Sequence, residues 1–296
     1  MVKSINIKKK IKKFNKTIFV NGDKSISIRW VLLSSLAHAT SRAKNLLMSE
    51  DVKAAIKTVK KLGIKVKINK NFCEIKGNGI NGYNYKKNIT LNAQNSGTLG
   101  RLILGLLINT PEPIKLIGDK SLSRRDFKRV TDPLTKFGAK FKLRKNRYLP
   151  LTIFGSNKLN SINYFENKGS AQCKSSVIFG GLRAKGETII KARKSRNHTE
   201  LMLNHLNLPI EVKSKKKYDF IKISQVKKIN KLNYNIPSDI SSGAFFIVLT
   251  ALSEDSTLVI KNVNINPSRI GVITILKRMG VIIKLRNKKK YKGEKI

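Results

Sequence analysis

The stretch VKKLGIKVKI (59–68) closes a helical pattern on a glycine and passes at once into alternating strand residues. The same phrase returns as LTKFGAKFKL (134–143), LNHLNLPIEV (203–212) and LKRMGVIIKL (276–285). Its punctuating residues are Gly63, Gly138, Asn207 and Gly280, at intervals of 75, 69 and 73 residues. Glycine or asparagine is what a left-handed helix terminus requires. Upstream of each stands a second marker, a polar helix start of small residues, counted at Ser25, Ser96, Ser170 and Ser241 with intervals of 71, 74 and 71. Between the markers lie an apolar helix (Trp30 to Ala37, Leu102 to Leu107, Val177 to Leu182, Ala244 to Leu252), a short strand (Ile114 to Ile117, Thr188 to Lys191, Thr257 to Lys261) and a second helix. Two independent markers keeping step through four copies predict a repeated β-α-β-α-β-β unit of mixed α/β (α+β) class. One unit cannot cover both its helices, so the units must pack around shared ones.

The 296 residues carry 62 Lys and Arg against 17 Asp and Glu, a formal net charge of +45. Clustered cations on this scale suggest nucleic acid. The lysines are scattered, however, as at Lys57, Lys60, Lys61, Lys65, Lys67 and Lys70, among abundant Asn and Ile, as a compositional bias would place them. Aromatics are only 7% and are not interleaved with the basic runs in the chain, which disfavours base stacking as the main activity. Cys73 and Cys173 are too few for a disulfide scaffold, and three histidines are too few for a His-rich metal centre. No apolar run approaches the roughly 20 residues of a membrane span. The basic segment Met1 to Lys16 lacks a secretory apolar stretch. The expectation is a soluble cytoplasmic protein whose positive potential attracts small anions.

The helix starts are where that potential concentrates. Asn21-Gly22-Asp23-Lys24-Ser25-Ile26-Ser27-Ile28-Arg29 leads a glycine turn into a helix N-terminus, whose free N–H groups and dipole favour an anion. Arg29 shares the face of Ser25 by i,i+4 spacing. An ordinary Ser N-cap flanked by solvated cations is the plain alternative. Asn95-Ser96-Gly97-Thr98 precedes Arg101, Ser170-Ala171-Gln172 precedes Lys174, and Ser123-Arg124-Arg125 and Ser195-Arg196-Asn197-His198 stand before further helices. Symmetric packing would bring these starts to one end, forming a site for a phosphorylated, carboxylated small molecule. Gly77-Asn78-Gly79-Ile80-Asn81-Gly82 spells G-x-G-x-x-G, but Tyr83 to Leu91 after it reads as extended rather than helical, so turn glycines are the better account. Cys173 reads as a small buried residue, despite its neighbour Lys174.

Taken together, these motifs resemble a known family. Gly22-Asp23-Lys24-Ser25-Ile26-Ser27-x-Arg29, Asn95-Ser96-Gly97-Thr98-x-x-Arg101, Gly118-Asp119-x-Ser121-Leu122-x-x-Arg125, Ser170-Ala171-Gln172-x-Lys174, Asn197-His198-Thr199-Glu200, Asp239-Ile240-Ser241-Ser242 and Asn266-Pro267-Ser268-Arg269 stand in the order of the EPSP synthases (3-phosphoshikimate 1-carboxyvinyltransferases) of the second bacterial class. The sister transferase acting on UDP-N-acetylglucosamine carries Lys-Asn where Lys24-Ser25 stands here.

The resemblance implies the enolpyruvyl transferase fold, with three units in each of two domains and four of the six units within this chain. Residues 22–232 would form the complete, shikimate 3-phosphate domain, and residues 1–21 with 233–296 the incomplete one. It implies transfer of the enolpyruvyl group of phosphoenolpyruvate to the 5-hydroxyl of shikimate 3-phosphate, in aromatic amino acid and chorismate biosynthesis. No metal or other cofactor is needed, and a monomer acting on small molecules, away from membranes, is expected. Lys24, the one catalytic residue implied within the chain, would touch both substrates. Ser25, Arg29, Ser170, Ala171 and Gln172 would hold shikimate 3-phosphate, Gly97 and Arg125 phosphoenolpyruvate, and Ser195 or Arg196 would add a phosphate contact. The family's remaining acid and base belong to the part beyond these units. Ile28, Asp126, Asn197 and Ser238 depart from the family's usual residues. A non-catalytic fragment that binds an anion and a basic nucleic-acid-binding protein are the alternative readings.

Overall fold

A computed structural model describes residues 11–296; the basic run 1–10, counted with the expected second domain, lies outside the described residues. In chain order the elements are β1 (Asn15–Ile18), α1 (Lys24–Ser35), β2 (Thr40–Lys44), α2 (Glu50–Lys61), β3 (Lys65–Ile68), β4 (Cys73–Lys76), β5 (Thr90–Asn92), α3 (Gly97–Leu106), β6 (Ile114–Ile117), α4 (Lys128–Thr135), β7 (Lys140–Arg144) and β8 (Tyr148–Phe154). They continue with β9 (Asn163–Glu166), α5 (Ala171–Gly181), β10 (Glu187–Arg193), α6 (His198–His205), β11 (Ile210–Ser214), β12 (Tyr218–Ser224), β13 (Tyr234–Asn235), α7 (Ile240–Ala251), β14 (Thr257–Ile260), α8 (Gly271–Arg278), β15 (Lys290–Tyr291) and β16 (Glu294–Lys295).

Three four-stranded sheets share one topology: β13-β2-β4-β3, β5-β6-β8-β7 and β9-β10-β12-β11. In each, the first two strands are parallel and the other pairings antiparallel. Residues alternate buried and exposed along β10, the signature of a sheet with one face on the core. The first sheet takes its leading strand from far along the chain, since β13 pairs with β2. In exchange, β1 pairs in parallel with β14. An expected boundary after residue 232 leaves Tyr234–Asn235 on the far side, yet this pair completes the first sheet.

The glycine and asparagine stops adopt positive φ, at 84° for Gly63, 116° for Gly138, 53° for Asn207 and 89° for Gly280. Helix α2 has Glu50 and Asp51 in its first turn and Lys60 and Lys61 in its last, both favourable to the helix dipole. Helices α1 and α5 are buried on almost every side and form the inner layer with α3. A Cβ on Gly105 of α3 would lie 2.1 Å from the Ser176 carbonyl oxygen, so these two backbones approach as only glycine permits.

Two expectations need correcting. VIIKL (281–285) forms no strand, because β14 pairs only with β1 and offers it no ladder. Tyr83 to Leu91 is irregular rather than extended until β5 begins at Thr90, with Tyr83 bonded to Ser35 and Tyr85 to the Glu112 carbonyl. The glycines before it form a turn joining β4 to β5, pinned by Asn78 Nδ2 to the Gly82 carbonyl at 3.2 Å. The fourth unit is bare: of α7 only Ile240 and Gly243 are buried, while Phe245 is 80% and Leu252 81% exposed.

Candidate functional site

The first helix start is held from both sides. Asp23, not Ser25, caps α1 by accepting the Ile26 N–H at 3.0 Å. A Cβ on Gly22 would lie 2.0 Å from the Asn45 carbonyl oxygen, so the turn into the helix requires glycine. Ser96 caps α3 through the Leu99 N–H at 3.3 Å, and Ser170 caps α5 through the Cys173 N–H at 3.2 Å. These starts face one another. Gln172 Nε2 donates to Thr98 Oγ1 at 3.0 Å, and its Oε1 accepts from Arg101 Nη1 at 2.7 Å.

Around α1 a first cationic cluster forms. Arg29 is buried and donates to Thr199 Oγ1 at 2.6 Å, Ser175 Oγ at 3.0 Å and the Ser25 carbonyl at 3.0 Å. Among the described residues no carboxylate lies within ion-pair distance of it, and burial, with Arg196 adding repulsion, pushes it down to about 10. Burial and then Arg269 likewise lower Arg196. Arg269 Nη1 stands 3.4 Å from Ser25 Oγ. Of the three guanidiniums, Arg29 is buried without an ion pair among the described residues, Arg269 is paired with Asp23 and Asp239, and Arg196 is exposed. Ser195 Oγ is buried with no hydrogen-bond partner among the described residues. Lys24 Nζ points away, 3.3 Å from Asp51 on α2, and is half exposed.

A second cluster gathers around α3. An ideal Cβ on Gly97 would lie 2.9 Å from Arg101 Nη1 and 3.1 Å from Arg125 Nη1, so the glycine leaves both guanidiniums room. Burial, then Arg125 and Arg129, lowers Arg101, whose guanidinium also lies over Phe127 at 5.1 Å. Asp126 does not occupy its neighbour: its carboxylate pairs with Arg147 at 2.9 Å. The half-buried run Ser170, Ala171 and Gln172 lies between the clusters, and Gln172 spans to the second.

Several residues with no assigned role in the sequence reading enter the site. Thr98, Arg101, Ser175 and Thr199 hydrogen-bond within it, and Arg269 reaches it from the fourth unit. Arg101 and Arg269 were visible as motif residues, but their partners lie 71 and 244 residues away, beyond any local signal. His198 bonds Glu294 Nδ1 to Oε1 at 2.7 Å rather than Glu200. Glu200 Oε1 instead lies 2.6 Å from Lys174 Nζ, an ion-pair separation without hydrogen-bond alignment, deep between α5 and α6. Burial raises the Cys173 thiol, the direction opposite to that of an activated thiolate.

Repeated units whose helix starts meet around two guanidinium clusters define a protein of the enolpyruvyl-transferase architecture. Residues 8–295 match the family described as EPSP synthase (3-phosphoshikimate 1-carboxyvinyltransferase), and the chain belongs to that family. It is 42% identical over 285 residues to 3-phosphoshikimate 1-carboxyvinyltransferase of Caldicellulosiruptor bescii, covering 96% of this chain and 65% of that one. The enzyme of the same name from Ruthia magnifica is 43% identical over 277 residues, covering 93% and 62%. An EPSP synthase structure from Acinetobacter baumannii superposes with a TM-score of 0.87 at 34% identity, over 96% of this chain and 63% of that one. The chain thus spans about two thirds of the length of these relatives. No helix among the described residues is long and apolar enough to cross a membrane.

Proposed function

We propose that this chain is the shikimate 3-phosphate-binding part of an EPSP synthase, in which Lys24, Ser25, Arg29, Ser170, Ala171, Gln172 and either Ser195 or Arg196 hold that substrate. Gly97 and Arg125 serve phosphoenolpyruvate, and Lys24 serves both. The observation carrying this reading is Arg29: a buried guanidinium whose hydrogen bonds all go to neutral oxygens, the Thr199 and Ser175 hydroxyls and the Ser25 carbonyl, so its charge is available to an anion at this helix start. The chain division proposed with it places residues 22–232 in one domain and residues 1–21 with 233–296 in the other, the latter lending β13 to the first sheet.

In the proposed reaction the 5-hydroxyl of shikimate 3-phosphate gives its proton to a base as its oxygen bonds to C2 of phosphoenolpyruvate, and the C2=C3 π bond opens as C3 takes a proton from an acid. The C2–O bond to phosphate then breaks and C3 returns a proton, giving the enolpyruvyl ether and inorganic phosphate. Arg29, Arg101 and Arg125 would hold anionic groups in place, and cations near the bridging oxygen would stabilise charge on the departing phosphate. Proton transfer needs an acid and a base, and both belong, in this reading, to units of the family other than the four described.

Calorimetric titration of the 296-residue protein should accordingly show shikimate 3-phosphate binding with no phosphate release on adding phosphoenolpyruvate. Lys24→Met removes a charge-assisted contact at a helix start and should weaken binding by about 1.5–3 kcal/mol. Unchanged affinity in that variant would remove Lys24 from the site, and steady phosphate release by the wild-type chain would overturn the division of catalytic groups.

A further inference from the structure

The chain crosses twice between the first sheet and the fourth unit, and the crossings are bonded to each other. The Asp23 N–H donates to the Pro237 carbonyl at 2.8 Å and the Asp239 N–H to the Asn21 carbonyl at 2.9 Å, around a Gly22–Ser238 bridge. Each crossing ends in a buried aspartate that starts a helix. Asp23 caps α1, and Asp239 caps α7 through the Ser241 N–H at 2.8 Å while also accepting the Lys24 N–H at 3.1 Å. Burial, with the charge of Asp239 adding, pushes the Asp23 carboxyl up despite the nearby His198 and Arg269.

One guanidinium joins these carboxylates. Arg269 Nη2 donates to Asp239 Oδ1 at 3.2 Å and to Ser241 Oγ at 2.5 Å, and Nη1 lies 3.4 Å from Asp23 Oδ2, an ion-pair separation without hydrogen-bond alignment. A planar fork reaches both acids where an ammonium would reach one. Behind it, His198 Nε2 stands 3.4 Å from Arg269 Nη1, and His198 Nδ1 is 2.7 Å from Glu294 Oε1. Asn264 and Asn266 hold Glu294 Oε2 at 3.3 and 3.0 Å.

We propose that Arg269 is a positioning residue that clasps the two chain crossings, braced by His198 and Glu294, and so fixes the helix start bearing Lys24 and Ser25. Its effect on substrate runs through Asp23 and Asp239. The ligand arm of the test rests on the functional reading above, whereas the exchange arm does not.

Amide hydrogen exchange and shikimate 3-phosphate titration on the 296-residue protein test this. Arg269→Gln should speed exchange at the Lys24 and Ile26 amides, leave Val130 of α4 unchanged, and weaken ligand binding about tenfold or more. Asp239→Asn keeps a competent cap, so Arg269→Gln/Asp239→Asn should regain much of the lost protection and affinity, a non-additive cycle. Glu294→Gln, which leaves the guanidinium fork and both aspartates in place, should give a smaller change in the same direction, measured against Val130 as the control for global stability. Unchanged Lys24 and Ile26 exchange in Arg269→Gln overturns the clasp. Weakened binding without faster exchange, or additive losses in the double variant, would make Arg269 a direct ligand instead. If Arg269→Gln does not fold, Glu294→Gln decides, and unchanged exchange at Lys24 refutes the relay. Absent ligand binding by the wild type would sink the functional reading while the exchange result still stands.

Discussion

At the residue scale, Gly97 separates steric room from fold stability. The atoms a new methyl would meet are the tips of two flexible arginines, not backbone, and alanine is the better helix former by up to about 1 kcal/mol. Gly97→Ala should therefore fold as well as the wild type while displacing Arg101 and Arg125. Phosphoenolpyruvate or glyphosate should bind more weakly, and shikimate 3-phosphate nearly as before; titration with each ligand checks this, and equal losses would remove Gly97 from the phosphoenolpyruvate side. The family departures find local partners. Ile28 is fully buried, Asp126 is taken by Arg147, Asn197 Oδ1 accepts from Asn266 at 2.8 Å, and the Ser238 hydroxyl donates to the Val20 carbonyl at 2.8 Å.

At the element scale, the α3–α5 contact gives the opposite outcome for the same substitution. The Gly105 methyl would meet the Ser176 carbonyl oxygen and carbon, at 2.1 and 2.9 Å, and backbone cannot step aside. Gly105→Ala should cost about 1–3 kcal/mol or more by overpacking, read as a lower urea midpoint, with Gly97→Ala in the same helix as control. Such contacts mark where the sequence stops being legible. Helix starts and stops are local chemistry: Ser96, Ser170, Gly63 and Gly138 could be placed because a cap or a positive φ is satisfied within a few residues. VIIKL has the composition of a strand but no partner, since pairing is decided elsewhere in the chain. The exchange of β1 and β13 between sheets, and the reach of Arg269 to Asp23, depend on separations beyond 190 residues. For these the motifs gave family order but no geometry.

At the scale of the whole molecule, Glu294 ties the closing hairpin to α6. Burial would raise its carboxyl, but His198 and the two asparagine amides outweigh that and hold it below its ordinary 4.5. A depressed folded value means that the stabilisation is complete above the unfolded value and is lost as pH falls through the folded one. Stability should thus decline below about pH 4.5. Glu294→Gln should start lower at neutral pH and show a flatter acid profile in urea titrations from pH 7 to 3. Parallel profiles would mean that the pair does not govern the acid limb. The same fourth unit exposes Phe245, Leu252, Met279 and Ile282, an apolar extent that isolated surface residues do not explain.

The exchange of edge strands also dictates an order of events during synthesis. A ribosome finishes β1 early, but its parallel partner β14 emerges only about 240 residues later, a wait of roughly 12–48 s at ~5–20 residues per second. The first sheet waits almost as long for β13. The second and third units are contiguous, each drawing all four of its strands from one uninterrupted stretch, so they can close while translation proceeds. The first sheet can close only after the second and third, so the segment bearing Asp23, Lys24 and Ser25 is made before those units and locked in place after them.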